Sequence, residues 1–238
     1  MGVFDVYDTV GNVVTRYPQL SSLFEQIGID YCCGGRQTLG EVCQIQSLDP
    51  KVLLSVLEDF KSINHASVVA VAAMSLTELS DHIEQTHHAY LHFELPRLDE
   101  MTNKVAAVHG EKDPRLHHVR RTFLELFQEL SSHLMKEEQI LFPMIRQLDA
   151  NTAAPLSHCG SLANPIRQME WEHDRAGAAL ERLSELTDHY TSPEWACNTY
   201  LVLLDALAHL EHDLHQHIHK ENNVLFPRAI ALEGEKNT

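Results

Sequence analysis

Glycine and proline are scarce in this 238-residue chain, at 10 and 9. No alternating run of β-branched residues lies between turn signals, which excludes a sheet-rich fold. No apolar run reaches the roughly 18 residues a membrane span needs. No basic, apolar start resembles a signal peptide, so a cytoplasmic location is expected. Cations are few: 18 Lys and Arg against 34 Asp and Glu leave a net charge of −16. Phosphate backbones are gripped by clustered cations, so a nucleic-acid surface is excluded. Five cysteines, an odd number with two adjacent, do not make a disulfide framework and read as free thiols. Histidine is what abounds. Seventeen imidazoles in an acidic chain point to metal.

Helical signals fill the length. In the first 63 residues, helices are expected over Asp5–Arg16, Pro18–Ile27 with Gly28 as the stop, from about Thr38, and from Asp49-Pro50 to about Ile63. Residues 64–74 carry no charge beyond a histidine and read as a linker. Four long segments follow. Ser75-Leu-Thr-Glu78 is a capping box opening the first, which stops at Gly110. Asp113-Pro114 opens the second, to about Leu148; Asn164-Pro165 the third, to near Tyr190; Ser192-Pro193 the fourth, to near Gly234. The expectation is an all-α chain. An antiparallel four-helix bundle spans 75–238, preceded by a small helical domain at 1–63. The 149–163 connection reads as a loop.

An internal repeat carries the chemistry. Residues 133–143 and 217–227 share His-x3-Glu-x3-Leu-Phe-Pro with Lys before the Glu, an offset of 84. His133/Glu137 and His217/Glu221 are each spaced i, i+4, so both side chains leave one helix face a turn apart. Apolar neighbours (Leu134, Ile140, Leu141, Leu214, Ile218, Val224, Leu225) place them toward the interior, where carboxylates and imidazoles need a partner or a metal. A similar shift pairs His88 with His173, although His87 and His92 compete with His88. Four imidazoles and two carboxylates suit iron, manganese or zinc, and a Glu from each side can bridge two ions. A rival scheme uses Glu84-x2-His87 and Glu170-x2-His173 with Glu137 and Glu221, but leaves His133 and His217 without a role. His212, His215 and His219, like His117 and His118, read as solvated.

The residues Asp30-Tyr31-Cys32-Cys33-Gly34-Gly35-Arg36-Gln37-Thr38-Leu39, Lys136-Glu-Glu-Gln-Ile-Leu-Phe-Pro143, Glu172-His173-Asp174 and Glu221-Asn-Asn-Val-Leu-Phe-Pro227 carry a resemblance. The bundle resembles the hemerythrin-like proteins, and the whole chain is similar to the repair-of-iron-centres family of di-iron proteins. That resemblance implies two iron ions, oxo-bridged, held by His88, His133, Glu137, His173, His217 and Glu221; Leu95-Pro96 selects His88 over His87. Oxygen carriers of the hemerythrin type have a further histidine where this chain has Gly177, and His-x4-Asp where it has His217-x3-Glu221. More open iron positions follow, suited to metal release or small-molecule chemistry.

The resemblance also implies a function: supplying iron to iron–sulfur clusters damaged by nitrosative or oxidative stress. The alternatives are reduction of nitric oxide to nitrous oxide, and sensing or storage of oxygen or nitric oxide. Damaged or apo iron–sulfur proteins are the implied partners, nitric oxide or oxygen the small ligands, and a homodimer a candidate assembly. Cys32 and Cys33 are the candidate iron relay or redox thiols; a helix N-terminus after their turn is expected to lower a thiol pKa. Cys43, Cys159 and Cys197 read as ordinary positions.

Overall fold

The computed structural model describes residues 3–63, 71–150 and 161–236. Most of the expected linker, at 64–70, lies outside the described residues, as do Cys159 and the centre of the 149–163 connection. The elements in chain order are α1 (Val10–Arg16), α2 (Ser21–Gln26), α3 (Leu39–Gln46), α4 (Pro50–Ile63), α5 (Leu76–Ile83), α6 (Ala89–His109), α7 (Arg115–Lys136), α8 (Phe142–Asp149), α9 (Ala163–Leu186), α10 (Asn198–Lys220) and α11 (Phe226–Lys236). π-helical turns over Glu84–His88, Glu137–Leu141 and Glu221–Leu225 join α5 to α6, α7 to α8 and α10 to α11. Among the described residues there is no strand, only an isolated bridge between Thr9 and Thr38. The chain is all-α: a helical bundle preceded by a small helical domain.

By contacts the chain forms two compact units, one of residues 1–79 with 215–238 and one of residues 80–214. The core of the second unit draws on four helices. Leu91, Leu95, Leu98 and Val105 come from α6, Leu116, Val119, Phe123, Leu126 and Leu130 from α7, Leu180 and Leu183 from α9, and Leu203, Leu207 and Leu210 from α10. Their recurrence at three- and four-residue intervals is the apolar stripe that a bundle buries. The other unit has its own core, built on Val10, Val13, Leu20, Phe24, Tyr31, Leu39, Leu57 and Ile218.

Several caps match the sequence reading. Ser75 Oγ accepts from the Glu78 N–H while Glu78 accepts from the Ser75 N–H, and Thr38 with Glu41 closes a second capping box. Gly28 ends the α2 region at φ +69°, where glycine is unstrained. Three boundaries move. The first helix starts at Val10 rather than Asp5, because Thr9 caps it and residues 5–8 form a turn. The third bundle helix ends at Leu186 rather than near Tyr190, because Asp188, His189 and Tyr190 take left-handed conformations. The fourth starts at Asn198, not at Ser192-Pro193. Pro193 instead accepts from the Ala196 N–H in a turn, and Trp195 packs against Tyr200 and His109.

Candidate metal centre

Proline explains two of the three π turns. Pro143 and Pro227 have no N–H, and in an α-helix the proline ring collides with the carbonyl four residues earlier. The preceding turn widens, so the Phe142 N–H reaches back five residues to the Glu137 carbonyl, and the Phe226 N–H to that of Glu221. Each repeated Leu-Phe-Pro thus builds a π turn whose first residue is the repeated glutamate. Turns of this kind recur at functional sites. His88 closes the third such turn.

All six residues expected from the motifs are buried: His88, Glu137 and Glu221 are fully enclosed, and His133, His173 and His217 nearly so. They form two groups, His88, Glu137, His217 and Glu221, and His133, Glu137, His173 and Glu221. Within each group one donor atom per residue lies within 4.8 Å of the others. Both glutamates belong to both groups. Four Nε2 atoms face these carboxylates or one another: His133 to Glu137 at 3.2 Å, His88 to Glu137 at 3.5 Å, His217 to Glu221 at 3.1 Å, and His173 to His133 at 3.0 Å. Metal bonds of about 2.1 Å at right angles put neighbouring donors about 3 Å apart, so the spacing fits ions held among them. Nitrogen and oxygen donors without sulfur suit iron.

The far side of the histidine rings is also held. His88 Nδ1 lies 3.0 Å from Glu138 Oε1, and His133 Nδ1 lies 2.9 Å from Glu172 Oε2. A carboxylate on Nδ1 fixes the ring and turns Nε2 toward the metal. Glu172 also accepts from Lys136 Nζ and Gln168 Nε2. The contact with His133, foremost, holds its carboxyl down at about 2. Sequence reasoning missed both outer carboxylates, although each adjoins a proposed ligand in the chain. Glu172→Ala is expected to lower metal affinity about 10- to 100-fold with helicity retained, checked by titrating apoprotein against a competing chelator. Unchanged affinity would make Glu172 a surface ion pair only.

The structure also sorts the remaining candidates. His87 is buried but turns Nδ1 to Asp213 at 2.8 Å, and His92 is exposed with Nε2 on Glu138 at 2.8 Å. Neither joins a metal group. Glu84 pairs with Arg146, and Glu170 lies in neither group, so the rival scheme does not assemble. Ile140, expected inside, is half-exposed. His212, His117 and His118 are exposed as expected. His219 is not: it is 3% exposed and packs edge-on to Tyr31, with Nδ1 3.3 Å from the Tyr31 carbonyl. Burial holds its pKa down at about 4.

The cysteines differ from the expectation in two ways. Cys32 and Cys33 are free, with sulfurs 3.8 Å apart, and with Asp30 they form a third potential metal group. No helix N-terminus activates them, since α3 begins at Leu39 under its own Thr38 cap. The contact with Cys33, then burial and the Asp30 carboxylate, push the Cys32 thiol up, not down. Cys197 departs from the ordinary reading instead. It is exposed, and His109 Nε2 at 3.2 Å draws its thiol down to about 7. At pH 7 roughly half of Cys197 is thiolate, against about one in a hundred for a thiol ionising near 9. Iodoacetamide is expected to alkylate Cys197 at least tenfold faster than Cys32 or Cys43, with a midpoint near pH 7 that rises in His109→Ala. Mass spectrometry finding Cys32 labelled first would contradict this.

The fold and the paired His/Glu groups define a hemerythrin-type, cation-binding helical protein. Residues 79–229 match the family model described as the hemerythrin HHE cation binding domain, and the chain belongs to that family, whose domains hold a pair of iron ions. Residues 6–61 match a domain of unknown function, DUF542. More particularly, the chain belongs with the iron–sulfur cluster repair proteins called YtfE. It is 38% identical over 224 residues, 94% of this chain and 97% of the relative, to those of Escherichia coli O157:H7, E. coli O17:K52:H18 and Shigella boydii serotype 4. Among the described residues no helix is long and apolar enough to cross a membrane.

Proposed function

We propose that this protein repairs iron–sulfur clusters damaged by nitrosative or oxidative stress, releasing iron from a labile di-iron centre to damaged or apo iron–sulfur proteins. In this reading His88, His133, Glu137, His173, His217 and Glu221 are the ligands, and residues 75–238 form the iron-bearing domain. Residues 1–63 form a thiol-bearing domain whose Cys32 and Cys33 relay iron. One observation supports the reading above others: both buried glutamates are shared by two four-residue groups, so each can serve two ions.

Bound iron would supply exchangeable metal and a redox-dependent bond strength. The protein's own groups do the rest. Glu138 and Glu172 keep Nδ1 of His88 and His133 engaged, leaving Nε2 as the donor. Burial keeps water from the carboxylates. The thiols offer soft donors that can draw metal from a nitrogen and oxygen shell. The resemblance of the chain to the YtfE repair proteins over nearly its whole length supports the same cargo.

A donor must loosen its metal on demand, and carboxylate bonds weaken when the ion's charge falls from ferric to ferrous. Reduction with dithionite is therefore expected to speed iron capture by a chelator at least tenfold, while helicity stays constant because the leucine stripes carry the bundle. Equal capture rates from both redox states would remove the case for a donor.

A further inference from the structure

The two copies of the repeated helix segment differ on their outer faces. In the first copy Met135 and Gln139 are exposed. At the matching places in the second stand His219, buried, and Asn223, half-buried. The face of α10 and its π turn that carries these residues is covered by the cysteine turn. Gln216 donates to the Tyr31 hydroxyl at 2.8 Å, His219 packs on the Tyr31 ring, and Asn223 Nδ2 donates to the carbonyls of Tyr31 at 3.2 Å and Cys32 at 2.9 Å.

Asn223 is seated by bare backbone. A Cβ added to Gly11 would come within 2.6 Å of its Oδ1, and one on Gly35 would strike the same oxygen and approach the Tyr31 carbonyl to 2.7 Å. Gly11 and Gly35 also bond to each other, N–H to carbonyl, at 2.8 Å. Neither has a positive φ among the described glycines, so what they provide is close approach. The turn they admit is itself one block. Asp30 accepts from the N–H groups of Cys32, Cys33 and Gly34 at 2.8–3.0 Å, so residues 30–34 move together.

Asn223 lies in the π turn whose first residue is Glu221. We propose that Asn223 is a positioning residue coupling the cysteine pair to the metal centre: chelation across Cys32 and Cys33 shifts the 30–34 block, releases the Asn223 clasp, and lets the Glu221 turn relax its hold on metal. The proposal rests on Glu221 being a ligand. It adds that occupancy of the thiols governs release, by contacts made on one of the two repeats alone. Because binding free energies are reciprocal, bound metal must weaken thiol chelation by the same factor.

Phenylarsine oxide tests this without redox chemistry. Each thiol gives up a proton, two arsenic–sulfur bonds form, and the arsenic oxygen leaves as water. Iron-loaded wild-type protein treated with it is expected to lose iron to a chelator about tenfold faster, if an ordinary affinity coupling of that size is expressed in the release step. Asn223→Ala, whose clasp is already gone, is expected to load iron but to release it at the faster rate with or without the arsenical. Asn223→Asp, close in shape but lacking the donor, should behave likewise and serves if the alanine variant does not fold. Cys32→Ser/Cys33→Ser should not respond at all. Equal acceleration in wild type and the Asn223 variants, or none in wild type, would overturn the coupling and leave the ligand assignment standing. Full iron retention by Glu221→Ala would instead overturn the reading beneath it.

Discussion

Replacing Glu137 or Glu221 by alanine is expected to cut bound iron from about two ions per chain to well under one. The two groups of donors are not independent, since His88 and His217 meet one pair of glutamates and His133 and His173 meet the same pair. Removing either carboxylate therefore strips a donor from both positions at once, whereas removing one histidine strips it from one. His88→Ala or His173→Ala should accordingly leave more metal than either glutamate variant. The apoproteins should keep their helicity, because the leucine and phenylalanine stripes of α6, α7, α9 and α10 form a core that does not involve the donors. Metal analysis beside circular dichroism checks both points. If Glu84→Ala or Glu170→Ala were to strip the iron while His133→Ala did not, the ligand set would be the rival Glu-x-x-His scheme.

The second large effect falls on the thiols. Cys32→Ser/Cys33→Ser is expected to leave iron content at the wild-type level and to lower iron delivery to an apo iron–sulfur protein at least tenfold. Neither sulfur belongs to the two buried groups, whose nitrogen and oxygen donors are complete without it. Delivery is different, because a soft donor must compete for the metal on its way out. Cys32 is buried with its thiol held protonated, and Cys33 is half-buried beside it. The pair is thus suited to binding metal, which displaces the proton, rather than to acting as a free thiolate nucleophile. Full delivery by the double variant would leave the cysteines a purely structural role.

How much of this was legible in the sequence depends on how far apart in the chain the partners lie. His133/Glu137 and His217/Glu221 are local pairs, so helical spacing and an exact repeat exposed them. The choice of His88 over His87 was not local. It depends on the π turn at Glu84–His88 and on Asp213, far along the chain, which engages His87. Only the resemblance to a family made that choice in advance. Glu138 and Glu172 escaped notice because each acts on a histidine of another helix. His219 fell on a polar stripe that helical periodicity assigns to solvent. The Tyr31 turn covers it, a tertiary contact that local pattern does not encode. The lowered thiol of Cys197 likewise depends on His109, far away in the chain. The start of the fourth bundle helix was misplaced because Ser-Pro is also good turn chemistry, and here the turn won.

Donation of iron from the di-iron centre is the proposed function. Its most direct test is anaerobic incubation of 57Fe-loaded protein with an unlabelled apo iron–sulfur protein and sulfide, with no other iron present, following the client's cluster by Mössbauer spectroscopy. 57Fe is expected in the client's cluster, faster after reduction, with a matching loss from the donor. A client that stays apo while the donor keeps its iron, and a parallel sample under nitric oxide that evolves nitrous oxide catalytically, would contradict it and make the centre a nitric oxide reductase.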